Sequence, residues 1–230
     1  MDLIEKPLRD PINHWYYHIK FRAIQKTLKE VDLDSSILID IGAGSALFSK
    51  KLSQLHSGLR VIAVDINYDS EVSESSAEFS YTREIPRGIG NVFLLNDVLE
   101  HIEDDSEFLS KIVEESSEGS VFVITVPAMM SLWSSHDTFL KHFRRYTQLE
   151  IEKLCETSGL TGSKGQYLYA LFYPFAFLQR RFEPRRKPPA SKLVDVSPVI
   201  NSLIKKLTRI DFVLSKTLPF GVSYITVKSK

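Results

Sequence analysis

Ile37-Leu38-Ile39-Asp40-Ile41-Gly42-Ala43-Gly44-Ser45-Ala46 is a short apolar run that breaks into a glycine-rich bend. A run of this length stopped by Gly42 reads as a strand buried on both faces. The two glycines let the backbone turn tightly and approach a ligand with no Cβ in the way. Residues 45–55 then read as a helix, so the bend feeds an N-terminus with unpaired N–H groups and the positive end of a dipole. A second apolar run over 60–65 ends at Asp65, 23 positions beyond Gly42. A carboxylate there can accept both hydroxyls of a ribose. Together the two runs define a site for an adenosine-containing ligand at the carboxyl ends of strands.

The same alternation extends outward. Trp15, Ile19, Phe21, Ile24 and Leu28 recur near the helical period, predicting a helix over 14–31 with Asn13 as its N-cap. Strands are predicted over 79–82, 91–97 and 120–126, the last stopped by Pro127, and helices from Glu103 and over 150–158. The serine-rich stretch over 66–78 has room for one or two helical turns. Strands alternating with helices imply right-handed βαβ units and a parallel sheet covered on both faces. After Gly165 the alternation fails. Strands are predicted over 166–172 and 221–227, and between them lies an amphipathic helix in which Ile200, Leu203, Ile204, Leu207, Ile210 and Leu214 share one face.

The chain of 230 residues is 43% hydrophobic and 25% charged, which excludes a fibrous or largely disordered protein. Its one cysteine, Cys155, excludes a disulfide scaffold and a cysteine-built zinc site. No HExxH pattern occurs, and no metal is expected. No apolar run reaches the roughly 17–25 residues of a spanning helix. Met1-Asp2-Leu3-Ile4-Glu5-Lys6-Pro7 lacks the pattern of a secretory leader, so a cytoplasmic, soluble protein is expected. The formal net charge of zero conceals an asymmetry: residues 164–230 carry 13 Lys and Arg against 3 Asp and Glu. Halves so different point to two jobs, one near something anionic, or to mutual attraction.

Two ligand classes share the glycine bend. A dinucleotide fingerprint would read G-x-G-x-x-G, but Leu47 holds its third glycine position. Asp40 just before the bend would repel a pyrophosphate and suit the cationic end of S-adenosylmethionine. A nicotinamide-dependent reductase remains the alternative on this motif alone.

Asp40-Ile41-Gly42-Ala43-Gly44-Ser45-Ala46 resembles motif I of class I S-adenosylmethionine-dependent methyltransferases, with Ala46 where the third glycine is usual. Val64-Asp65 resembles their acidic ribose position. Asn96-Asp97-Val98-Leu99-Glu100-His101-Ile102 is similar to the segment after strand four in the small-molecule branch. His14-Trp15-Tyr16-Tyr17 with Arg22 resembles the aromatic N-terminal helix of a bacterial subgroup. Val126-Pro127-Ala128, Leu132 to Asp137 and His142 to Tyr146 resemble its segment after strand five.

The resemblance implies an α/β, Rossmann-like doubly wound sheet of seven strands, the last antiparallel, with a helical cap inserted before it. It implies S-adenosyl-L-methionine as cofactor, held by Asp40, Gly42, Ala43 and Gly44 at the methionine end, Asp65 at the ribose with Ile66 also in the cofactor site, and Asn96 and Asp97 on the flank. No acid over 79–84 matches the usual adenine contact.

A protonated acceptor needs a base, and histidine suits that role. His136, His142 and His101 are the candidates, with Asp137 able to orient a neighbouring imidazole. Arg144, Arg145 and Tyr146 could clamp a carboxylate or phosphate. Trp15, Tyr16 and Trp133 could wall the acceptor site. The absence of an Asn/Asp-Pro-Pro-aromatic sequence after strand four argues against nucleic-acid bases. The expected division is an N-terminal helical cap over 1–34, a methyltransferase domain over 35–172 and 218–230, and a basic cap over 173–217. The expected activity is methyl transfer to an oxygen, nitrogen or carboxyl group of a small-molecule, glycan or lipid-linked acceptor. A non-catalytic cofactor-binding protein with membrane association is a further alternative. Tyr167 to Leu178 is uncharged and aromatic-rich, and the basic cluster at Arg180-Arg181 and Arg185-Arg186-Lys187 follows, a pattern that can rest on an anionic membrane surface.

Overall fold

In the computed structural model, residues 8–69, 76–182 and 195–230 are described. Residues 1–7, part of the serine-rich stretch (70–75) and the Arg185-Arg186-Lys187 cluster lie outside them. The described elements are α1 (Trp15–Thr27), β1 (Ile37–Ile41), α2 (Leu47–Leu55), β2 (Arg60–Val64), β3 (Phe79–Thr82), β4 (Val92–Asn96), α3 (Asp105–Glu115), β5 (Val121–Pro127), α4 (Ser135–Phe139), α5 (Gln148–Thr157), β6 (Gln166–Leu168), α6 (Tyr173–Arg181), α7 (Pro198–Leu214) and β7 (Ser223–Ser229).

The seven strands lie in the order β3-β2-β1-β4-β5-β7-β6. β1 pairs in parallel with β2 on one side and β4 on the other. The order reverses at that point, and the crevice outside the carboxyl ends of β1 and β4 is where such sheets bind ligands. β7 runs antiparallel between β5 and β6, as expected for the final strand. Alternate residues of each strand serve opposite layers. Ile39, Ile41, Phe93 and Phe122 pack with Leu109, Ile112 and Ile151 of α3 and α5. Leu38, Leu94 and Val123 pack with Ile24, Phe48 and Leu52 of α1 and α2.

Several expected boundaries move, each for a local reason. Ala46 adopts φ +54, so α2 starts at Leu47. His14, not Asn13, is the N-cap of α1, while the Asn13 amide donates to Asp10. Pro127 does not stop β5 but closes its register opposite Ser223. β6 ends at Leu168 because Tyr169 turns to φ +59 and donates its N–H to Asp211 Oδ2 at 2.9 Å instead of to the ladder.

The largest departure is the face of α7. The helix forms as expected, yet Thr208, Asp211 and Ser215 point inward while Ile200, Leu203, Leu207, Ile210 and Leu214 are exposed. Polar groups fix that rotation: Asn201 Oδ1 accepts the Trp15 N–H at 2.8 Å, and the Asp211 carboxylate caps the N–H groups of Tyr169 and Leu171.

Candidate functional site

The bend after β1 takes its shape from three left-handed residues, Gly42 at φ +63, Gly44 at +53 and Ala46 at +54. A Cβ at Gly42 would also lie 2.8 Å from a methyl of Val98, so the position needs glycine twice over. The Ala43 N–H donates to the Val64 carbonyl at 3.0 Å, and the Gly44 N–H to Asp65 Oδ2 at 2.8 Å. Asp65 thus stands at the end of β2 against the bend, its other oxygen accepting from the Asn67 backbone and side chain. Ile66 beside it is 74% exposed, an apolar surface at the crevice. The Tyr68 hydroxyl donates to the Gly44 carbonyl at 2.7 Å.

Asp40 lies beneath the bend rather than in it. It is buried and accepts the Ser49 hydroxyl of α2 at 2.5 Å. Burial pushes its carboxyl up to about 6, against the pull of Ser49.

The end of β4 carries the second set of groups. Asp97 sits at φ +55 just after the strand. It forms an ion pair with Lys20 of α1, whose side chain is wholly buried. The Thr125 hydroxyl of β5 lies 2.9 Å from Asn96 Oδ1 and 3.2 Å from Asp97 Oδ1. Burial opposes both charges, but pairing prevails: Asp97 is held below the usual carboxylate range and Lys20 above its ordinary value. Lys20 also lies 5.4 Å from the Tyr16 ring centroid. Helical periodicity marks a lysine as a surface residue, so sequence reading missed this one.

Beyond β5, Asp137 gathers four donors. Its Oδ2 accepts the Ser134 N–H and hydroxyl. Its Oδ1 accepts Arg145 Nε at 2.6 Å and lies 3.2 Å from His142 Nδ1. Burial raises its carboxyl, but the His142 contact and the Arg145 guanidinium outweigh that and hold it far below the usual range. Asp137 therefore orients His142, not its sequence neighbour His136. The ring of His142 meets His101 edge-on at 4.6 Å, and the Phe143 N–H donates to the Glu100 carbonyl at 2.7 Å. The segments after β4 and β5 are thereby joined.

The residues expected to clamp an acceptor divide. Arg145 is buried, with its guanidinium taken up by Asp137 and the Ala128 carbonyl. Tyr146 is buried and donates to Asp105 Oδ2 at 2.6 Å. Arg144 is half-buried, pairing with Asp105 Oδ1 at 2.8 Å. Trp15 stacks on Phe172 and Tyr16 on Tyr169, forming an aromatic layer next to Lys20. Trp133 is partly buried, following a short turn over Met130–Leu132.

No metal is expected from the sequence. Glu100, His101 and His142 nevertheless bring one ligand atom each within 4.8 Å of one another, a spacing able to hold a cation. Neither side-chain oxygen of buried Glu100 has a hydrogen-bond partner among the described residues, and burial, then the nearby Asp97, push its carboxyl well up. The motif search missed the trio because His142 arrives from a separate segment.

Residues 12–163 match the sequence pattern of a family described as a methyltransferase domain. A search of curated proteins gives no significant match. Among solved structures, the chain is similar to an S-adenosylmethionine-dependent methyltransferase from Mesorhizobium loti, with TM-score 0.58 and 11% identity over 94% of this chain and 98% of that one. It is also similar to a SAM-dependent methyltransferase from Archaeoglobus fulgidus, with TM-score 0.54 and 18% identity over 94% and 99% of the two chains. The glycine bend and the carboxylate of Asp65 fit an adenosine-containing ligand, and the family match leaves the reductase alternative without support. The chain belongs to the methyltransferase-domain family, and its fold is that of class I S-adenosylmethionine-dependent methyltransferases.

Proposed function

We propose that this protein methylates a hydroxyl group on a small-molecule, glycan or lipid-linked acceptor, with His142 as general base. Nitrogen and carboxyl acceptors would use the same crevice without equal need of a base. The observation that carries this reading is the Asp137–His142 pair, placed edge-on to His101 next to the end of β4. With Nδ1 directed at Asp137, His142 Nε2 takes the acceptor proton as the oxygen lone pair forms its bond to carbon. The Asp137 carboxylate stabilises the resulting imidazolium. S-adenosylmethionine supplies an electrophilic methyl on a sulfonium, and the C–S bonding pair leaves on a neutral thioether.

Gly42, Ala43 and Gly44 would hold the methionine end over Asp40, Asp65 the ribose, Ile66 the base, and Asn96 with Asp97 the flank. Trp15, Tyr16 and Trp133 would wall the acceptor, with Arg144 at its polar edge. His136 would act only if an acceptor reached α4.

In calorimetry with S-adenosylhomocysteine, Asp65→Ala should weaken binding at least about tenfold, or about 1.4 kcal/mol. His142→Ala should leave that affinity within about twofold while lowering methyl transfer to phenolic and polyprenyl-linked hydroxyls by roughly 10²–10⁴. Undiminished transfer by His142→Ala would remove the base. Failure of the wild type to bind the product would remove the whole reading.

A further inference from the structure

Surface helices normally bury their apolar side, and α7 does the reverse. Asn201, Thr208, Asp211 and Ser215 face the protein, leaving Leu203, Leu207 and Ile210 at 59%, 45% and 55% exposure. α6 buries none of its side chains, and Phe175 and Phe182 beside its end are 71% and 78% exposed. Apolar surface on this scale marks a contact that the described chain does not itself supply.

All but one of the charged residues on the two helices are basic. Arg180 and Arg181 end α6; Lys205, Lys206 and Arg209 lie on α7, and Lys216 just beyond it. The one acid of the two helices, Asp211, is buried and holds the N–H groups of Tyr169 and Leu171. No other acid lies on either helix.

We propose that the outward faces of α6 and α7 are a docking surface for an anionic lipid bilayer. The leucines, isoleucines and phenylalanines enter the acyl boundary, and the lysine and arginine stems lie along it with their heads at the lipid phosphates. A second copy of the chain fits less well, because pairing these faces would set two strongly basic regions against each other. No helix among the described residues is long and apolar enough to cross a membrane, so the contact is one of lying on the surface.

The placement has a consequence for the crevice. Tyr173 of α6 contacts Ser131 at 3.1 Å between hydroxyls, and Arg180 donates to the Leu132 carbonyl. That turn leads from β5 to Asp137 and His142, so a docked molecule presents this edge of its candidate site towards the lipid. Docking itself is independent of which group is methylated, and its test involves no turnover.

The full chain is sedimented with phosphatidylcholine vesicles, with and without phosphatidylglycerol. Binding should be at least about tenfold tighter with the anionic lipid and should weaken as salt rises. Leu203→Glu combined with Leu207→Glu changes only exposed positions; with an unaltered circular dichroism spectrum, it should lose at least about tenfold in binding. Lys206→Glu with Arg209→Glu should abolish the preference for anionic lipid. No sedimentation, or equal binding to both vesicle types, would overturn the proposal. So would a dimer in light scattering that the leucine substitutions dissolve, since the face would then belong to a second copy.

Discussion

Replacing Lys20 with methionine tests the junction between α1 and the end of β4. The substitution keeps length and apolar bulk but strands the Asp97 carboxylate that Lys20 pairs with. Breaking a fully buried ion pair from one side costs about 3–5 kcal/mol. Asp97 retains 30% side-chain exposure, so water can recover part of its solvation, and about 2–3 kcal/mol is expected instead. Loss of the cation above Tyr16 adds about 0.5 kcal/mol. Asp97→Asn should cost more, because the stranded lysine is wholly buried. Urea unfolding at pH 7, followed by circular dichroism, gives the four corners of a double-mutant cycle. Lys20→Met with Asp97→Asn should be more stable than the sum of the single losses by at least about 1.5 kcal/mol. Strictly additive losses, or a Lys20→Met cost below about 0.5 kcal/mol, would refute the pairing as a source of stability.

Asp40 should make stability depend on pH in the direction opposite to a salt-bridged carboxylate. Its folded value, about 6, lies above the ordinary 3.8, so the folded state holds the proton more tightly. The native form should therefore lose stability as pH rises from about 4 to about 6, by up to roughly 3 kcal/mol, and change little above. Asp40→Asn should remove that slope, and equal slopes in unfolding of both proteins without cofactor would contradict it. Gly42→Ala forces a side chain into φ +63 and against Val98, so a loss of about 1–3 kcal/mol is expected in thermal unfolding, with cofactor binding lost as well. A fully stable Gly42→Ala protein would mean that the bend is free to rearrange.

The parts of the site legible in the sequence were those in which one short segment carries the whole signal. Asp40 to Ala46, Asp65, and Asn96 to His101 each lie within a single strand end, where local chain direction fixes where the residues go. What escaped depended on contacts between distant segments. Asp137 adjoins His136 in the chain, but successive helical residues point about 100° apart, and its carboxylate reaches His142 and Arg145. Glu100, His101 and His142 converge only because the Phe143 N–H meets the Glu100 carbonyl. The periodicity of α7 showed which residues share a face but not which way that face turns. Two polar side chains decided that, since Asn201 and Asp211 satisfy the N–H groups of Trp15, Tyr169 and Leu171. β6 stops short for a related reason: the Asp211 carboxylate competes with the strand ladder for the Tyr169 N–H.

β7 follows in the chain both strands that it separates, and its seven residues match β5 one for one. While a ribosome is still making the molecule, the β5 edge has already emerged with its row of amides and carbonyls unmatched, and β6 has nothing to join. That interval is when strangers can add to the edge. Synthesis halted before residue 223 would leave a nascent polypeptide that aggregates or engages a chaperone, however sound its first 160 residues.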